Sequence, residues 1–174
     1  MDPEPKDVIV LGAIKKGAKK FDKIRDTTKI EPEELNSILE RLEQRGLIGV
    51  TEKKGLFGKK VEIVLTEKGE KELDHRVHEL NENWNQMLTL YKTGDKQKLQ
   101  EYMDYNRSFL PMMLFFGVID IMMFSMMLSL IGAHMVDYVP ADQVPEGATE
   151  EAAEGDSGDA GGMDDGGFDI DIGF

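Results

Sequence analysis

The chain has 174 residues, no cysteine and a formal net charge of −13. That length allows one ordinary domain with extensions or two small ones, and the missing cysteines exclude disulfides, thiolate chemistry and zinc–cysteine sites. The acidity is local: residues 133–174 hold 12 Asp or Glu and no Lys or Arg, while residues 1–132 hold 22 acidic and 21 basic residues and are close to neutral. The start, MDPEPKD, shows no basic leader followed by an apolar run, and no internal repeat is visible.

In chain order, residues 7–17 gather Val8, Leu11 and Ile14, with Ile9 and Val10 beside them, into a first helix ending near Gly17. Phe21, Ile24 and Thr28 share one face of a short second helix. Glu31-Pro32-Glu33-Glu34 is a helix start, with proline in the first turn and acids where the helix dipole favours them. Leu35, Ile38, Leu39 and Leu42 follow at helical spacing, and Gly46 is placed for a left-handed cap. The period then changes. Residues 47–51 and 61–65 read as two strands, joined by a glycine-containing loop that spans the residues between them. Thr66 is an N-cap for a long helix whose stripe, Leu73, Val77, Leu80, Trp84, Met87, Leu88 and Tyr91, steps by three and four and seeks a partner: a second copy of the chain, or the chain's own later helices. Gly94-Asp95 breaks it, and a shorter helix runs from Lys96 to Arg107.

Three helices, a hairpin and a further helix are the order of a winged helix-turn-helix. The run LEQRGLI (Leu42 to Ile48), the hairpin, and LTEKGEKEL (Leu65 to Leu73) resemble the MarR- and PadR-type regulators, in which a hydrophobic-Thr-x-x-Gly turn leads out of the wing. The resemblance covers residues 6–75 and implies that the third helix enters the major groove while the wing touches the flanking backbone. On that basis the groove-facing candidates are Glu33, Asn36, Ser37, Glu40, Arg41 and Gln44. The sequence departs from the expected pattern there, because Glu33, Glu34, Glu40 and Glu43 outnumber Arg41 and Arg45, and carboxylates are repelled by phosphates. The basic groups lie elsewhere. Lys15, Lys16, Lys19, Lys20, Lys23, Arg25 and Lys29 surround the second helix, and Lys53, Lys54, Lys59 and Lys60 lie in the wing. They suit DNA-backbone contact with weak base readout, or a solvated surface on a protein-interaction module. His75 and His78 lack a third metal ligand and read as a solvated face. No phosphate loop or catalytic motif occurs, so neither enzymatic activity nor a cofactor is expected.

Phe109 to Ile131 is apolar over 23 residues, with one charge, Asp120, at its midpoint, and holds six of the 11 methionines. As one helix it would be ~34 Å long, enough to span a bilayer. Its Leu, Ile and Phe favour insertion by ~0.3–0.6 kcal/mol each and Asp120 opposes it by ~2.5–3.5 kcal/mol, so the sum is near zero. Lys92, Lys96, Lys98 and Arg107 precede it and nothing basic follows, which puts the N-terminal domain on the cytoplasmic side; Tyr102, Tyr105 and Tyr138 would sit at the interfaces. Gly117, Ser125, Ser129 and Ala133 form a small-residue stripe, with Asp120 beside it, for self-association. The competing readings are the core of a soluble helical oligomer and a groove for hydrophobic clients. Residues 140–167 are expected to be disordered, and Phe168, Ile170, Ile172 and Phe174 alternate with acidic or small residues, as in a segment that adds to a sheet edge or simply in a solvated end.

The expected fold is therefore mainly α. It comprises a winged-helix domain over 1–75, a helical linker or dimerisation region over 76–108, a hydrophobic, transmembrane-type helix over 109–135, and a disordered acidic tail over 136–174. The expected partners are DNA, a membrane and a second copy of the chain, with a protein partner for the tail. The expected function is a membrane-anchored DNA-binding regulator, the alternative an adaptor or client-binding protein.

Overall fold

A computed structural model describes residues 4–56 and 58–144. Its centre is helix α1 (Pro5–Lys15), in which Val8, Ile9, Val10, Leu11, Ala13 and Ile14 are all buried. A helix apolar on every side has to be covered on every side. Here the cover comes from α2 (Phe21–Thr28), α3 (Pro32–Gln44), strand β2 (Gly58–Leu65), α4 (Glu67–Thr93) and α6 (Leu110–Phe115).

Helices α2 and α3 form the helix-turn-helix. Lys29 closes α2 in the left-handed region at φ 56°, the only non-glycine residue there among those described. Helix α3 begins on Pro32 and buries Leu35, Ile38 and Leu42. Gly46, at φ +68°, ends it: the Gly46 N–H donates to Glu43 O and the Leu47 N–H to Leu42 O. Strand β1 (Ile48–Gly55) then pairs antiparallel with β2, in a register running from Ile48↔Leu65 to Gly55↔Gly58. The strands are longer, and the loop far shorter, than the apolar pattern predicts, because the lysine-rich outer residues pair as strand without any alternation to announce it.

Thr66 joins the hairpin to α4. Its hydroxyl donates to Gly46 O at 2.6 Å and accepts from the Gly69 N–H at 3.0 Å, while its own N–H donates to Leu47 O at 3.1 Å. One side chain thus caps α4 and ties it to the end of α3. The stripe on α4 buries Leu73, Leu80, Trp84 and Met87 within this single chain and leaves Val77, Leu88 and Tyr91 half-buried. Helix α5 (Lys96–Tyr105), capped by Asp95, folds back on α4, and Tyr102 donates a hydrogen bond to Asn83 at 3.0 Å.

The apolar stretch is not one helix. It is divided into a 3-10 turn (Arg107–Phe109), α6, and α7 (Ile121–Ile131). Among the described residues no helix is long and apolar enough to cross a membrane, which overturns the transmembrane expectation and the topology built on it. The break has a local cause. Gly117 turns the chain at φ +67°, and Asp120 is the N-cap of α7, its carboxylate accepting from the Met123 N–H at 2.9 Å. The charge that opposes insertion is the charge that starts a new helix. Asp120→Ala is therefore expected to destabilise the protein by about 1 kcal/mol, the usual value of a missing cap, read as a lower Tm in thermal unfolding. An unchanged or higher Tm would count against the cap.

The predicted small-residue stripe is likewise interrupted. Gly117 lies in the turn, Ala133 lies beyond the capping Gly132, and Ser125 and Ser129 alone share α7. The methionine-rich helices form interior instead. Leu99 and Met103 of α5 are buried, as are Leu110, Met112 and Met113 of α6 and Phe124, Met127 and Leu128 of α7. Met122 and Met126, one turn apart on α7, stay exposed. Tyr138, in α8 (Met135–Tyr138), is buried and donates to Asp104 at 2.8 Å, and the Arg107 guanidinium lies over its ring. Burial, with the Asp104 hydrogen bond, pushes its pKa up to about 12. Of the three tyrosines expected at a membrane surface, Tyr138 is thus buried, Tyr102 is half-buried and hydrogen-bonded, and Tyr105 is exposed. The tail expectations, disorder over 140–167 and the motif of Phe168, Ile170, Ile172 and Phe174, fall outside the described residues beyond Val144.

Candidate nucleic-acid interface

The outer face of α3 carries Glu33, Asn36, Ser37, Glu40 and Gln44, all exposed, as helical spacing requires once Leu35, Ile38 and Leu42 face the core. Asn36 Nδ2 donates to Glu40 Oε1 at 2.9 Å and Ser37 Oγ to Glu33 O at 3.1 Å. Arg41 is differently employed. Its Nε donates to Asp7 Oδ2 at 3.1 Å and its Nη2 to Asp7 Oδ1; Asp7 is 1% exposed, at the start of α1. Arg45 Nη1 lies 3.9 Å from the same carboxylate. The candidate with the strongest base-reading chemistry is thus engaged in joining α3 to α1. Nothing local signals this, because Asp7 looks like an ordinary first-turn acid in sequence.

The basic residues divide in the same way. Lys15 pairs with Glu70 of α4 at 2.9 Å, and Lys16 donates to Phe115 O at 2.8 Å while lying over the Phe115 ring. Arg25 is held by Asp22 and Asp26 on its own helix. Of the lysines around α2, Lys19 is joined to the wing. Lys19 and Lys53 share Glu62, at 3.8 and 3.1 Å, and the Ile63 N–H donates to Lys19 O at 2.9 Å, so the entrance to α2 runs along β2. The Lys53 hydrogen bond, with the nearby charges of Lys53, Lys19 and Lys60, holds the Glu62 carboxyl below its ordinary range against the opposing effect of burial. Lys59 pairs with Glu52 at 3.1 Å. Lys20, Lys23, Lys54 and Lys60 are exposed and have no ion pair among the described residues. The histidines of α4 pair along the helix, His75 with Glu79 at 3.3 Å and His78 with Glu82 at 3.5 Å.

Comparison with known proteins adds a family and nothing finer. No curated protein and no solved structure matches the chain. The model of the HxlR-like helix-turn-helix family matches residues 6–92, running past residue 75 to take in nearly all of α4. The likeness to MarR- and PadR-type regulators is therefore correct at the level of the winged helix-turn-helix, but that subtype is not specified. With half of its 174 residues inside the match, from α1 through the wing and its Thr66–Gly69 joint into α4, the chain belongs to the HxlR-like helix-turn-helix family.

Proposed function

We propose that this protein is a DNA-binding transcriptional regulator. In this reading α3 is presented to the major groove, and the lysines of α2 and the wing grip the backbone beside it. Family membership supports the class. The single observation that supports the mode is the continuity of the basic edge, in which Lys19 and Lys53 meet on Glu62 and the segment before α2 is bonded to β2. That edge suits phosphate contact, which positions a protein without reading sequence. On α3, Asn36, Ser37 and Gln44 are exposed neutral residues able to bond base edges, and Glu33 and Glu40 limit how closely that face is tolerated by phosphates. The acidic face of α3 is also what favours the alternative, a winged helix used as a protein-interaction module. A homodimer carrying two such faces remains part of the proposal.

The test is a titration of the full chain onto duplex DNA over a range of salt. Affinity is expected to fall steeply as salt rises. Replacing Lys20, Lys23, Lys54 and Lys60 together by Ala should flatten the log–log slope by up to about 0.9 for each phosphate no longer neutralised, and weaken binding similarly for all sequences. Failure to bind any duplex at low salt sinks this reading and promotes the protein-interaction module.

A further inference from the structure

We propose that Met122, Met123 and Met126 form a thioether site for a soft monovalent cation, Cu(I), on the outer face of α7. This site is separate from the DNA-binding face and stands without it.

The methionines of the described chain divide cleanly. Met87, Met103, Met112, Met113, Met127 and Met135 are buried. The others are Met122, 62% exposed, Met126, 44% exposed, and Met123, half-buried. All of these unburied thioethers fall on one helix, within about one turn of each other. At ~100° per residue they project over an arc of ~100°, and at ~1.5 Å per residue they are spread over ~6 Å along the axis. Side chains three and four apart on a helix have Cβ atoms ~5–6 Å from one another, and methionine has three rotatable bonds. The sulfurs can therefore converge on one point above the helix without moving its backbone. Met127, next around the arc, is fully buried and closes the site on that side.

The donor set selects the cation. Thioethers are soft and uncharged and suit Cu(I), whereas Mg²⁺, Ca²⁺ and Mn²⁺ take oxygen ligands. Harder donors are engaged or weak here. Asp120 accepts the Met123 N–H as the helix cap, and Ser125 and Ser129 offer only hydroxyls. Helix α7 has no Lys or Arg to repel a cation. Among the described residues no group of three or more His, Cys, Asp or Glu could hold a metal, and the chain has no cysteine to compete for a soft ion. An apolar partner is the competing occupant, because methionine also suits adaptable contact surfaces. Such a partner would be served equally by leucine, and that difference supplies the control.

The full chain, carrying ¹³C at its methionine methyl groups, is titrated with Ag(I) in chloride-free buffer. Silver shares the charge and closed d shell of Cu(I) and withstands air. Cu(I) is then added with ascorbate in the absence of oxygen. Each ion is expected to saturate at one equivalent and to shift the methyl signals of Met122, Met123 and Met126, leaving those of Met87 and Met103 in place. Each should also raise Tm, as a ligand of the native state does. Mg²⁺ and Ca²⁺ should do none of this. Met126→Leu should weaken binding about tenfold or more, since even the loss of an outer-shell partner costs a metal site that much. Met122→Leu with Met126→Leu keeps the apolar surface and the helix propensity. Its metal-free Tm should be unchanged and its saturable binding lost. Saturable binding by the double variant, a response that never saturates, or principal shifts at Met1 or Met163 overturns the site. Failure of both ions to bind the unaltered chain overturns it as well and leaves this face to an apolar partner.

Discussion

Gly69→Ala is expected to lower stability by about 3 kcal/mol or more, at the upper end of what overpacking costs, and Tm by about 10 °C for a chain of this size. Intrinsic propensity predicts the opposite sign, since alanine is better than glycine in a helix by ~0.8–1.0 kcal/mol. Geometry decides. A Cβ on Gly69 would lie 1.9 Å from Leu47 O and 2.9 Å from Leu47 C. Those atoms are backbone at the root of β1, and Leu47 O already accepts the Thr66 N–H. The carbonyl cannot turn aside without undoing the joint that sets the wing against α4. Gly12→Ala is the control. There the Cβ would meet Cε1 and Cζ of Phe116 at 2.4 Å and Cε1 of Phe115 at 3.1 Å, side-chain atoms of half-buried rings rather than backbone. Its expected cost is about 1 kcal/mol or less, because the gain in helix propensity offsets part of the repacking. Thermal unfolding of the two variants in parallel checks the ordering. Equal Tm values would mean that the α4–hairpin joint yields as readily as a ring.

That glycine also explains why the family motif can be read in sequence at all. In the hydrophobic-Thr-x-x-Gly turn, Thr66 is required because one hydroxyl serves Gly46 O and the Gly69 N–H together, and Gly69 is required because a carbonyl occupies the space of its Cβ. Such signals are short-range, so Pro32, Gly46, Thr66 and Gly94 mark the ends of α3 and α4 correctly from sequence alone. The apolar stretch is misread for a complementary reason. Summing transfer energies over 23 residues presupposes one helix, and on that premise Asp120 is only a cost. Taken locally, Gly117 followed three residues later by Asp is a C-cap and then an N-cap. The cover for α6 is equally invisible in a linear reading, since it depends on Gly12 leaving room for Phe116 about a hundred residues away. Among the candidate DNA contacts, the exposed positions of α3 and the wing lysines follow from periodicity and composition. The pairing of Arg41, 34 residues from Asp7, does not.

Arg41 therefore separates the two kinds of reading. As a groove-facing residue it would contribute to DNA affinity and little to stability. As the partner of Asp7 it should contribute mainly to stability. Asp7 is 1% exposed, and Arg41 supplies two hydrogen bonds to its carboxylate, the Nε bond at 3.1 Å and a second from Nη2. Removing one member of a buried pair leaves the other charged and unsatisfied, typically at ~3–5 kcal/mol. The arginine is itself part-exposed and Arg45 remains 3.9 Å from Asp7, so the expected cost of Arg41→Ala is smaller, about 2–3 kcal/mol. Arg41→Lys should recover only part of it, because one ammonium cannot reproduce the two-pronged contact. Replacing both partners with apolar residues, Asp7→Leu with Arg41→Met, should cost less than the sum of the single changes, which is the mark of direct coupling. Denaturant unfolding supplies the stabilities, and DNA titration well below each Tm supplies the affinities. An Arg41→Ala protein with unchanged stability but weakened DNA binding would return Arg41 to the groove and reduce its pairing with Asp7 to an incidental one.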